Sequence, residues 1–172
     1  MNRRRYIGLN LIILSVLLCI SGCKVSYSFS GASISTEVKT VSVQFFPNRA
    51  RIVNPTLSQE FTNALMDKIK GQTNLIFMEN EGDVNFSGEI TDYKTNILAI
   101  TGDERSAMTR FTVSIRIKYA NILDGDNDYD RVFSRYKDYD STLDLSDVEE
   151  DLVAAIIEDI TEDAFNAAFV NW

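Results

Sequence analysis

Two thiols and a few basic side chains are the groups in this sequence whose type and spacing could do chemistry. Cys19 and Cys23 stand four residues apart, where an uncharged apolar run from Tyr6 to Ile20 gives way to Ser21 and Gly22. A thiol there can pair with its neighbour or act as a nucleophile that accepts an acyl or glyceryl group, and small residues before it leave the backbone open to a peptidase. Arg110, Arg116 and Lys118 alternate with apolar residues in "RFTVSIRIK" and so share one face of a strand, with Arg105 in the preceding loop "TGDERSAMTR". Such a patch can grip phosphates, arginine bidentately and lysine as a point charge. The alternative is ordinary cross-strand pairing with Glu89 or Asp138.

Other chemistry is narrower. The chain has no histidine, which removes the usual zinc sites, Ser-His-Asp triads and imidazole acid–base work. An enzyme would have to run on carboxylates, Lys, Tyr or Ser/Thr. Glu89 or Asp92 could face a second acid as glycosidases require, but nothing in the sequence fixes a pair. "DGDNDYD" spaces Asp124, Asp126, Asp128 and Asp130 as calcium loops do, yet Tyr129 stands where the EF-hand needs Gly and Arg135 where it needs Glu. We read it as a solvated hairpin turn, with no metal and no cofactor.

The beginning of the chain is an address. Arg3, Arg4 and Arg5 precede an apolar run too short for a membrane span, which takes about 20 residues, but fitting for a signal-peptide core. Ile20-Ser21-Gly22-Cys23 resembles the lipobox of bacterial lipoproteins. That resemblance implies cleavage before Cys23, a diacylglycerol on its sulfur and an N-acyl group such as palmitate on its amine. Cys19 would then be discarded and no disulfide could form. Each buried CH₂ contributes about 0.8 kcal/mol, so three chains anchor the protein firmly. An uncleaved anchor helix is the other reading. Lys24, not Asp, follows the cysteine, which favours the periplasmic face of the outer membrane. Residues 1–22 are thus expected as signal peptide, 23–36 as a lipidated tether and 37–172 as one folded domain. Cleavage removes three of the 17 Lys and Arg and none of the 25 Asp and Glu, so a formal charge of −8 deepens. An acidic chain of this kind is no nucleic-acid binder. Its acids crowd into residues 124–163.

The elements that must position these groups are legible by period. Val38–Phe45 alternates as a strand, with Val41, Val43 and Phe45 on one side. Thr56 and Gln59 form a capping box before a helix marked by Leu57, Phe61, Ala64, Leu65 and Ile69, which Gly71 stops. Leu75–Met78 is a brief apolar strand. Val84, Phe86, Gly88 and Ile90 alternate again. So do Phe111, Val113, Ile115, Ile117 and Tyr119, in the clearest half-buried strand of the chain. Arg131–Tyr139 returns as a polar edge strand. Ser146 and Glu149 form a second capping box for a long last helix, with Val148, Leu152, Ala155, Ile156, Ile160, Ala164 and Ala168 inward and Glu158, Asp159 and Glu162 in water. The expectation is an α+β two-layer sandwich. Two amphipathic helices cover one face of a mostly four-stranded mixed sheet in the order β-α-β-β-β-α, to which Leu75–Met78 can add an extra short strand. The opposite face, with Thr112, Ser114, Arg116 and Lys118, is left for water or a partner.

Taken in order, the lipobox, "YSFSGASI", "VKTVSVQFFPNRA", "NPTLSQEFTNALMDKI", "GEITDY", "FSRYKDYDS" and "AFVNW" resemble the LptE lipopolysaccharide-assembly lipoproteins over nearly the whole of Cys23–Trp172. The resemblance implies two helices on a mostly four-stranded sheet and a non-enzymatic role. It implies a plug inside the LptD-type outer-membrane β-barrel, assisting barrel assembly and lipopolysaccharide insertion into the outer leaflet. Some members bind lipopolysaccharide through basic residues near strand ends. No motif carries those positions over, so Arg110, Arg116 and Lys118 rest on charge and face alone. The acidic character departs from a lipopolysaccharide binder, since two anionic partners need a basic patch or divalent cations between them. A periplasmic adaptor or pilot for another outer-membrane complex is the alternative function, and a carboxylate enzyme the third.

Overall fold

The computed structural model describes residues 34–52, 54–98 and 107–170. The signal-peptide, lipobox and Cys23 expectations, and Arg105, lie outside them. The order is β1 (Thr40–Val43), α1 (Leu57–Gln72), β2 (Ile76–Phe77), β3 (Val84–Ile97), β4 (Met108–Asn121), β5 (Tyr129–Asp140) and α2 (Leu145–Phe169). The five strands form one mixed sheet, β2-β1-β3-β4-β5, with β1 parallel to β2 and β3 and the remaining pairs antiparallel. Both helices cover one face, as the polar alternation of β3 and β4 requires. The extra short strand is present as β2, two residues long.

The core lies between helices and sheet. The alternating residues of β4, Phe111, Val113, Ile115, Ile117 and Tyr119, are all buried, against Phe61, Leu65 and Ile69 of α1 and Ile156, Ile160 and Phe165 of α2. Burying a side chain of this size contributes about 1.5–3 kcal/mol relative to exposure. Tyr119 also belongs to an aromatic cluster with Phe86, Tyr129 and Phe169, centroids 5.1–5.8 Å away. The α2 stripe also takes in Val153, Ile157, Phe165 and Phe169, which widens the expected face, while Leu152 and Ala155 are only half-buried.

Three local expectations are corrected. β1 stops at Val43, short of Phe45, because Phe46 leaves the ladder to pack edge-on against Phe61, with Phe45 turned outward. Gly88 makes this possible: at φ 156°, a Cβ there would sit 1.9 Å from the Arg116 carbonyl oxygen and 2.8 Å from the Phe46 ring. Neither capping box forms. Thr56 and Asp144 stand at the N-caps without side-chain caps, and Asn54 Oδ1 instead accepts from the N–H groups of Thr56 and Leu57 at 2.9 and 3.2 Å. Nor do Asp159 and Glu162 lie in free water: they pair with Lys137 of β5 and Lys68 of α1. The Lys68–Glu162 pair near the two C-termini and an Asn54–Glu149 hydrogen bond near the two N-termini show that the helices run parallel.

Candidate functional site

The open face of the sheet gathers the three basic residues anticipated from the sequence. Arg110, Arg116 and Lys118 stand on β4 with Thr112 and Ser114 between them, on the side away from the helices. Eight residues of strand spread the row over about 27 Å. It meets β3 through Asn96, Lys94, Asp92, Glu89 and Ser87, and β5 through Asp138, Tyr136, Ser134, Val132 and Asp130.

Cross-strand partners neutralise most of that charge. Arg110 grips Asp138 with Nε and Nη2 at 2.8 and 2.9 Å, and its guanidinium lies 3.6 Å from the centroid of Tyr136. Arg116 grips Asp130 in the same bidentate way, at 2.7 and 2.8 Å, with Glu89 opposite it on β3. The sequence alternative of Asp138 as a partner is therefore met for Arg110, whereas Arg116 takes Asp130 in place of Glu89. Each hydrogen-bonded guanidinium holds its aspartate below the usual carboxylate range, and each aspartate raises its arginine. Lys118 makes no ion pair among the described residues, although its field helps to lower Asp130. Asp92 pairs with Lys94 on its own strand. Between the two arginine pairs the Ser114 and Ser134 hydroxyls meet at 2.9 Å.

The face thus presents two charge-balanced Arg–Asp pairs, the Lys94–Asp92 pair and, among the described residues, one lysine without an ion pair, ringed by exposed Val132, Tyr136 and Met108. It can make planar, directional contacts with a polar wall, whereas a phosphate would have to share either arginine with the aspartate that already takes two of its five N–H donors. Asp130 and Tyr136 escaped sequence reading. The signal for Asp130 was the β4–β5 register, which follows from the turn between Asn121 and Tyr129.

That turn settles "DGDNDYD" locally. Residues Gly125–Asn127 form a 3₁₀ turn, Asp124 caps it by accepting from the Asp126 N–H, and Asp128 accepts from the Asn121 N–H at 2.7 Å. Among the described residues no group of three His, Cys, Asp or Glu could hold a metal. On the helix side, the Tyr93 hydroxyl and Asn54 both donate to Glu149, tying β3, the α1 cap and α2 together. Desolvation, reinforced by Glu149, pushes Tyr93 up to about 12.

The fold is shared with solved structures. The uncharacterized lipoprotein B from Nitrosomonas europaea aligns over 84% of this chain and 88% of its own, at 11% identity and TM-score 0.50. A hypothetical protein from Chlamydia trachomatis aligns over 76% of this chain and 97% of its own, at 11% identity and TM-score 0.51. At such identities the likeness shows architecture alone. No curated protein matches the chain. Residues 38–168 match the family model LptE, described as lipopolysaccharide-assembly.

Proposed function

This chain belongs to the LptE lipopolysaccharide-assembly family, and from that premise we propose that it is a lipid-anchored, non-catalytic lipoprotein of the outer membrane. In this reading Cys23 carries the acyl chains on the periplasmic side, and the domain plugs and helps to assemble an LptD-type β-barrel that inserts lipopolysaccharide into the outer leaflet. The family match across residues 38–168 carries it. The open sheet face supports it: a plug inside a barrel needs a polar wall, and the paired arginines supply one.

Lipopolysaccharide is the second proposed partner, at Arg110, Arg116 and Lys118. Lys118, without an ion pair among the described residues, is the first of the three that a lipid phosphate would meet. Purifying the mature chain from detergent-solubilised envelopes should bring a large β-barrel with it. Recovery as a free chain, with unchanged lipopolysaccharide export on depletion, overturns the proposal. Recovery with a different outer-membrane complex favours the adaptor role.

A further inference from the structure

One edge of the sheet has the form of a strand-accepting groove. β5 pairs with β4 alone and ends the sheet. The hydrogen bond from the Ser141 N–H to the Ala107 carbonyl fixes the phase of that ladder. Odd-numbered β5 residues bond to β4, so the N–H and C=O groups of Val132, Ser134 and Tyr136 point outward. No hydrogen bond among the described residues takes them up. Between this edge and α2 runs a groove of about 490 Å³, lined by Arg131, Phe133, Arg135, Asp163 and Asn166.

Charge in the groove is uneven. Arg135 and Lys137 are held by Asp163 and Asp159 of α2, at 2.6 and 2.8 Å. Arg131 has no ion pair among the described residues, and its guanidinium carbon lies 4.8 Å from the centroids of both Tyr129 and Phe133. Two aromatic faces thus hold a positive charge at the groove wall, where it is available to an anion.

The geometry points to β5 as the docking edge for an extended segment of a partner polypeptide, which adds as a sixth strand and sets an acidic side chain against Arg131. Backbone hydrogen bonds would supply affinity and the arginine would select the sequence. A second copy of this chain fits poorly. Antiparallel pairing of two β5 strands centred on Ser134 sets Arg131 against Lys137, so no acidic side chain meets the arginine that has no ion pair among the described residues. The edge therefore favours a strand of different charge over its own copy. This inference stands whether or not the partner is the barrel.

The test uses the mature full-length chain and a short peptide of alternating Thr and Val with a central Glu. Versions with Lys at the centre, or with N-methylated backbone amides, serve as comparisons, with binding read by fluorescence anisotropy and amide hydrogen exchange. The Glu peptide should bind and slow exchange at Val132, Ser134 and Tyr136. The Lys peptide should bind about three- to tenfold more weakly, and N-methylation should abolish binding. Arg131→Gln should erase the preference for Glu. Ser134→Pro removes an outward N–H, together with the hydroxyl that meets Ser114, and should block both peptides. Failure of the Glu peptide to bind at millimolar concentration overturns the inference. So does equal binding of the N-methylated peptide, equal binding of the Glu and Lys peptides, or protection that appears away from β5.

Discussion

At the residue scale, the informative groups are those whose charge or proton is held by a neighbour. Burial pushes the Tyr119 hydroxyl up to about 12, and Asp128 and Asp124 add to the shift. Below pH 10 this phenol is protonated in both the folded and unfolded chain. Between 10 and 12 the unfolded chain loses the proton while the folded one keeps it, so stability falls as pH rises. Tyr119→Phe should leave urea unfolding at pH 7 nearly unchanged and make the loss between pH 9 and pH 11.5 smaller. An equally steep alkaline loss in the variant would assign it to other groups. Tyr93 and Tyr129 are also raised by burial and keep part of the slope. On the open face the argument concerns access. Lys118→Glu should cut crosslinking to lipopolysaccharide severalfold, because it reverses the charge without an ion pair. Arg116→Gln should cut it less, because Asp130 already occupies that guanidinium. The reverse order would show that a lipid phosphate engages Arg116 despite its aspartate. The three positions were legible as a shared face from alternation alone. Their neutralisation was not, because the partners come from β5, and pairing register is a tertiary fact.

At the scale of elements, what the sequence displayed and what it hid differ in kind. The periods of α1, β4 and α2 announce themselves because burial selects apolar residues at fixed spacing. Capping is harder to read, because several nearby side chains compete for the same orphan N–H groups. Thr56 and Gln59 had the capping-box spacing, yet Asn54, two residues upstream across Pro55, reaches the first turn of α1 and also donates to Glu149. Asn54→Ala should therefore cost about 1–2 kcal/mol in urea unfolding, against a few tenths for Gln59→Ala, whose amide only meets Asn63. Equal costs would return the cap to the box. In β3, Gly88 read as one more step of alternation, but its role is to admit the Arg116 carbonyl and the Phe46 ring. Gly88→Ala should destabilise by at least the 1–3 kcal/mol typical of overpacking. A smaller loss would mean that β4 and Phe46 can both withdraw. Phe46 thereby explains why β1 is shorter than its alternation: its ring enters the core, while Gln44 before it and Pro47 and Arg49 after it keep backbone hydrogen bonds to β3.

At the scale of the whole molecule, the acids that make the chain anionic are placed where they join layers. Lys68–Glu162 ties helix to helix, and Arg135–Asp163 and Lys137–Asp159 tie α2 to β5. The charged excess of residues 124–163 thus serves cohesion as well as solubility. In the proposed function, membrane attachment falls to the other end of the chain. Among the described residues no helix is long and apolar enough to cross a membrane, and the proposed hold on the bilayer is the acylated Cys23. A chain secreted through an unrelated cleavable signal, with Cys23→Ser at its start, should appear in the soluble periplasmic fraction. Its melting temperature should match that of the acylated protein in detergent within a few degrees, because Ile34 and Val38 are the first core residues among the described ones. Retention in the membrane pellet would show that the barrel, or an apolar surface of the domain itself, suffices without acyl chains. A large drop in melting temperature would show that residues 23–33 contribute to the fold as well as to the tether.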